Sequence, residues 1–169
     1  MANTYTLIAS STVGSGGAAN IEFTSIPATY KDLLIKVSTR GTTANGSGGY
    51  YYDITFNNTS SNRSGRYLEG ANGTTVFSAT YTPWGLSTPS DFTASTFSNN
   101  EICIPNYAGS NYKSLSSDAV NENNASTARL DLIAGLWSDS AAITSIKLVQ
   151  GAGNFAEHST AYLYGIKNS

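Results

Sequence analysis

Apolar residues recur at every second position in short runs along this chain, and glycine, asparagine, serine and proline fill the gaps. In Ile21-Glu22-Phe23-Thr24 the two apolar side chains point one way and the two polar ones the other. Ile146-Lys147-Leu148 sets an apolar pair against Lys147, and Leu130-Asp131-Leu132 sets one against Asp131. In Tyr5-Thr6-Leu7-Ile8-Ala9 the odd positions can share one face. Successive side chains of a strand alternate between its faces, so each run predicts one core face and one wet face. Leu33-Leu34-Ile35 is apolar without a break, which predicts a central strand covered on both sides.

These patterns predict strands over Thr4 to Ser10, Asn20 to Ser25, Asp32 to Thr39, Tyr50 to Phe56 and Thr75 to Thr80. Further strands are expected over Phe92 to Phe97, Glu101 to Pro105, Lys113 to Asn121, Ala128 to Trp137, Ile143 to Gln150 and Thr160 to Ile166. Many short strands at close spacing read as an all-β sandwich or barrel. Gly14-Ser15-Gly16-Gly17 predicts a hairpin or open loop. Gly41 to Gly49 holds four glycines and is expected to be flexible. Asn57 to Asn62 favours turns, because Asn, Thr and Ser bond their own backbone. Gly70 to Asn100 has the weakest strand pattern, and a short helix there stays open. No linker or repeat divides the chain, so residues 1–169 read as one domain.

Composition narrows the class. Ser, Thr and Asn supply 24, 20 and 16 of the 169 residues, while charged residues are only 12%. Strong helix formers other than Ala are thin, which argues against a mostly helical fold. The net charge of −2 comes without a basic run, so a phosphate-reading nucleic-acid face is not expected. No apolar stretch approaches the roughly 20 residues that span a bilayer as a helix. The start, Met1-Ala2-Asn3-Thr4-Tyr5, has neither a basic region nor an apolar one, so no secretory signal is expected. Cys103 is the single cysteine, so no intrachain disulfide is expected.

Candidate chemistry is sparse. His158, beside Glu157, is the single histidine, and no oriented partner for general base work is visible. Cys103 lies between Ile102 and Ile104, where a small buried thiol is the plainer reading than a nucleophile. Asp118, Asn121, Glu122, Asn123 and Asn124 are rich in oxygen but lack EF-hand spacing, so a polar turn is preferred over a cation site. No metal and no cofactor are expected, and the glycine-rich loops lack the lysine of a phosphate-binding loop. The aromatics stand out instead. Tyr50-Tyr51-Tyr52 cannot all face one side of a strand, and Trp84 lies in a proline-flanked connection. Three readings apply to them: core rings with satisfied polar groups, a subunit interface, or a sugar-stacking site.

The stretch YTLIASSTV followed by IEFTSIPATYKDLLIKVSTR resembles a family of small tailed-phage virion proteins, as do IPNYAGSNYKSLSSDAVNENN and the ending STAYLYGIKNS. The similarity rests on Ser25, Ile26, Pro27, Tyr30 and Leu33, and on the late Tyr164-Gly165-Ile166. It implies a particle component with a β-sandwich fold, and it brings no catalytic residues. Together these readings lead to an all-β chain forming a single jelly-roll-like antiparallel β-sandwich, not an enzyme. The expected role is a capsid decoration, or cement, protein that stabilises the assembled shell. Its expected partners are other virion proteins, the major capsid protein foremost, and further copies of itself in a homotrimer. It would assemble in the host cytoplasm and reside in the virion, with no nucleic acid and no membrane as partner. The alternative is a tail or fibre-tip module that binds host-surface glycans through Tyr50, Tyr51, Tyr52 and Trp84.

Overall fold

Twelve strands form among the described residues, and they sort into two antiparallel sheets according to which residues each can bury. The computed structural model describes residues 4–45, 49–73, 75–80, 82 and 84–167. The strands are β1 (Tyr5–Thr12), β2 (Asn20–Phe23), β3 (Asp32–Ser38), β4 (Tyr50–Phe56), β5 (Arg63–Ala71) and β6 (Thr75–Thr80). They continue as β7 (Gly85–Ser87), β8 (Asn99–Ile104), β9 (Lys113–Glu122), β10 (Ala128–Trp137), β11 (Ile146–Gln150) and β12 (Thr160–Ile166). The large sheet runs β1-β12-β3-β8-β9-β10-β5-β6 and the small one β2-β11-β4-β7. The architecture is all-β and sandwich-like, as the alternation predicts, and the described residues contain no helix.

One apolar cluster joins the sheets. Leu33, Ile35, Ile102, Ile104, Leu115, Ile133 and Leu163 come from the large sheet. Ile21, Phe23, Ile54, Phe56, Ile146 and Leu148 come from the small one. Asn100, on the inner side of β8, ties the layers at the small sheet's edge. Its Oδ1 accepts from the Leu86 amide at 2.7 Å, and its Nδ2 donates to the Leu86 carbonyl at 2.9 Å. The side chain thus stands in for a neighbouring strand and satisfies an edge that would otherwise lie buried and unpaired.

The expected boundaries of β4, β6, β10 and β12 match the observed ones, and six other predicted strands, β1, β2, β3, β8, β9 and β11, keep their cores. Phe92 to Phe97 is a turn rather than a strand. The Arg40 guanidinium explains it, because it draws in the carbonyls of Ser90, Phe92, Thr93 and Thr96 at 2.8–3.0 Å. Those carbonyls curl around one cation and cannot join a ladder. The alternation alone would set Tyr5 and Leu7 on one face with Ala9. A bulge between Leu7 and Ala9 breaks that register, leaving Tyr5 and Leu7 exposed and Ile8 and Ala9 against the core. Leu33, Leu34 and Ile35 are all buried in β3, which is central as expected. The glycine-rich loop expected to be flexible lies partly, at 46–48, outside the described residues.

Candidate functional site

The four aromatic candidates sit mostly inside. Tyr52 is wholly buried, its ring edge-on to Phe155 at 5.9 Å and pressed on Gly85. Trp84 is also wholly buried, 5.7 Å from the Phe56 ring, with the Arg63 guanidinium over its face. Neither ring offers surface to a partner. Tyr50 is half-buried and donates its hydroxyl to the Ala44 carbonyl at 2.9 Å. Tyr51 points away from Tyr52 and meets strands β5 and β10 of the large sheet. The triple is therefore split as the pleat requires.

The other candidates lie apart. His158 is exposed in a left-handed turn, φ 70°, before β12. Cys103 is half-buried on β8, and burial pushes its thiol pKa up, away from a reactive thiolate. In the oxygen-rich segment Asp118 points outward, Asn121 inward, and Asn123 Oδ1 accepts from the Ala125 and Thr127 amides to close the β9–β10 turn. Among the described residues no three His, Cys, Asp or Glu side chains converge to hold a metal.

Tyr51 leads instead to an ionic cluster between the layers. Arg129 Nη2 bonds both Glu69 Oε2 and the Tyr51 hydroxyl, and its guanidinium lies 4.8 Å from the Tyr51 ring centre. Arg129 Nε reaches Asp131 Oδ1 at 3.4 Å. The side chains of Arg129 and Glu69 are 11% and 12% exposed, and that of Asp131 is fully buried. Burial lifts the Asp131 pKa, and Arg129 only partly opposes it; the second carboxylate oxygen has no hydrogen-bond partner. Two carboxylates around one guanidinium make a strut between β4, β5 and β10, held by charge and ring contact.

Burying Arg129 and Asp131 turns β10 over. Side chains 129, 131, 133, 135 and 137 point inward, so Leu130, Leu132 and Leu136 point to solvent. Leu130 is 56% exposed and Leu132 is 54%. The pattern Leu130-Asp131-Leu132 predicted the alternation correctly but its sense reversed: the charge is the core residue. Cross-strand pairing extends the apolar row. Leu132 pairs with Leu68 on β5, and Leu130 pairs with Val120 on β9 and with Gly70, which pairs with Val76 on β6. Leu68 is 49% exposed and Val76 is 80%. The missing side chain at Gly70 leaves a depression of about 480 Å³ walled by Leu68, Val76, Leu130 and Leu132. A second hollow of about 470 Å³ follows along β10, over Ala134 and Leu136. No described segment covers this face. Such a contiguous apolar patch on a chain with few charges marks a contact surface.

No protein-family profile, no curated protein and no solved structure matches this chain.

Proposed function

We propose that this protein is a structural component of a tailed-phage particle, a decoration subunit that binds the assembled shell and no reaction centre. The single observation that supports this reading is the outer face of β9, β10, β5 and β6. Its leucines stand in solvent while a carboxylate occupies the core position between two of them. A strand that spends its apolar residues outward is shaped to meet another protein. The mechanism is adhesion. A subunit that binds only the assembled lattice adds its binding free energy to the cost of taking that lattice apart. The composition suits the role, since Ser, Thr and Asn lose little rotamer entropy when contacts order them. The sheet order supports a jelly-roll path, with the chain alternating between sheets through β1, β2, β3, β4, β7, β8, β11 and β12, and the β5–β6 and β9–β10 hairpins enlarging one layer. In this reading the partners are further copies of this chain and the major capsid protein, whose lattice takes up the assembled unit; assembly takes place in the host cytoplasm, and the virion is the final location. Purified protein added to undecorated heads should bind and raise their resistance to heat or low salt; no binding and no protection would remove the reading.

A second reading has an observation of its own. At the opposite end of the same outer face, Tyr5, Tyr164, Lys36 and Glu101 line a hollow of about 290 Å³ above Leu34. Lys36 and Glu101 pair at 2.8 Å. An exposed Tyr5 ring and a half-buried Tyr164 ring beside hydrogen-bonding charges suit a host-surface glycan. A glycan array decides it: loss of signal in Tyr5→Ala supports the site, and a blank array with wild-type protein removes it.

A further inference from the structure

We infer that the occupant of the β9–β10–β5–β6 face is a second copy of this chain, docked about a two-fold axis. The inference rests on the docking reading above and names the partner on that surface.

Three observations carry it. The first is size. β9 and β10 have 10 residues each, β5 has 9 and β6 has 6, which at about 3.4 Å per residue and about 4.8 Å between strands give a plane of roughly 570 Å². The relief of the leucines and valines adds to that, and a standard interface takes about 800 Å² from each partner. The second is charge. Arg66 on β5 and Asp118 on β9 are exposed and flank the leucine row from opposite sides. Neither has an ion-pair partner among the described residues. Within one chain β10 lies between them, and two strand spacings with a two-residue offset hold their Cα atoms about 12 Å apart.

The third is register. Arg66 stands beside Ala134 and Asp118 beside Leu132, two residues apart on β10. From standard strand spacings, an in-plane two-fold axis inclined roughly 35° to β10 places each Arg66 over the partner's Asp118. The same operation places each Leu68 over the partner's Leu132 and sets Val76 beside the partner's Gly70. The facing strands then cross at roughly 70°, close to the orthogonal class of sheet packing. One rotation therefore satisfies the apolar and the charged groups together. A patch that is its own complement closes at two copies, whereas a trimer would need two different patches.

Sedimentation velocity over a concentration series tests this. Wild-type protein should sediment as a dimer at high concentration. Leu132→Glu should be monomeric while keeping the melting temperature that wild-type protein shows when dilute, which separates lost docking from lost folding. Arg66→Asp and Asp118→Arg should each weaken the dimer about tenfold or more, and the double exchange should restore it to within a few-fold of wild type. A wild-type monomer at the highest soluble concentration, a trimer, or a double variant no better than the single ones would overturn the inference. Head binding is measured separately. A dimer that fails to protect heads removes the shell reading and leaves the dimer, and a monomer that protects them does the reverse.

Discussion

Leu132 faces Leu68 directly across the β10–β5 ladder, and both side chains are about half exposed. The next residue along β10, Ile133, is buried. Two adjacent apolar residues of one strand thus do different work, one packing the core and one forming the outer face. Leu132→Ser should change the stability of the dilute protein by no more than about 0.5 kcal/mol. Ile133→Ala should cost about 2–5 kcal/mol through the lost contacts and the cavity. Urea unfolding of the two variants checks the contrast, and equal losses would show that the strand is not oriented this way.

The acid response should centre on Asp131. Burial raises its pKa above the ordinary 3.8. The folded protein then holds the proton more tightly than the unfolded chain does, so ionisation weakens the fold. The contribution is full below about pH 3.8 and declines as pH rises through the folded-state value. Asp131→Asn does not titrate. The melting temperature of wild type relative to this variant should therefore fall as pH rises above about 4, then level off. Parallel melting profiles for the two proteins would contradict this.

Removing the cation should cost more than removing a carboxylate. Arg129→Met leaves Glu69 and Asp131 buried without their partner, and single breaks of this kind cost about 3–5 kcal/mol. Chemical denaturation gives the value, and a loss below about 1 kcal/mol would mean that solvent reaches the cluster.

Gly85 has a packing reason to lack a side chain. A methyl group placed there would lie 1.9 Å from the Tyr52 ring. Tyr52 is wholly buried and cannot swing clear, so Gly85→Ala should destabilise by about 1–3 kcal/mol or more. Thermal unfolding measures it, and a neutral result would require a mobile Tyr52.

The sequence made the strands legible wherever the apolar side of the alternation faces the core. Ile21 and Phe23 on β2, and Ile146 and Leu148 on β11, are of this kind. β5 was missed because its inward residues are Arg63, Gly65, Tyr67 and Glu69, which carry no apolar period. β7 was missed because three residues are too few to show one. The Arg129, Glu69, Asp131 cluster is not legible in the sequence for the same reason that the orientation of β10 is not: periodicity fixes which residues share a face, and only tertiary pairing decides which face is buried. The one available signal was Arg129 and Asp131 two apart within a strand, a spacing that puts a cation and an anion on one face. Tyr52 and Trp84 were readable as large aromatics, but nothing local distinguishes an aromatic that packs a core from one that waits for a partner.

The account stands on the claim that the Leu132 side of β10 is a contact surface. A cysteine at position 132, in a Cys103→Ser background, reports this through its rate of maleimide labelling. The account predicts rapid labelling in dilute protein and a rate at least about tenfold slower in concentrated protein. A control cysteine in place of Thr24, which is exposed just beyond β2 in the other sheet, should label at the same rate throughout. An unchanged rate at position 132 across the whole concentration range would contradict the account.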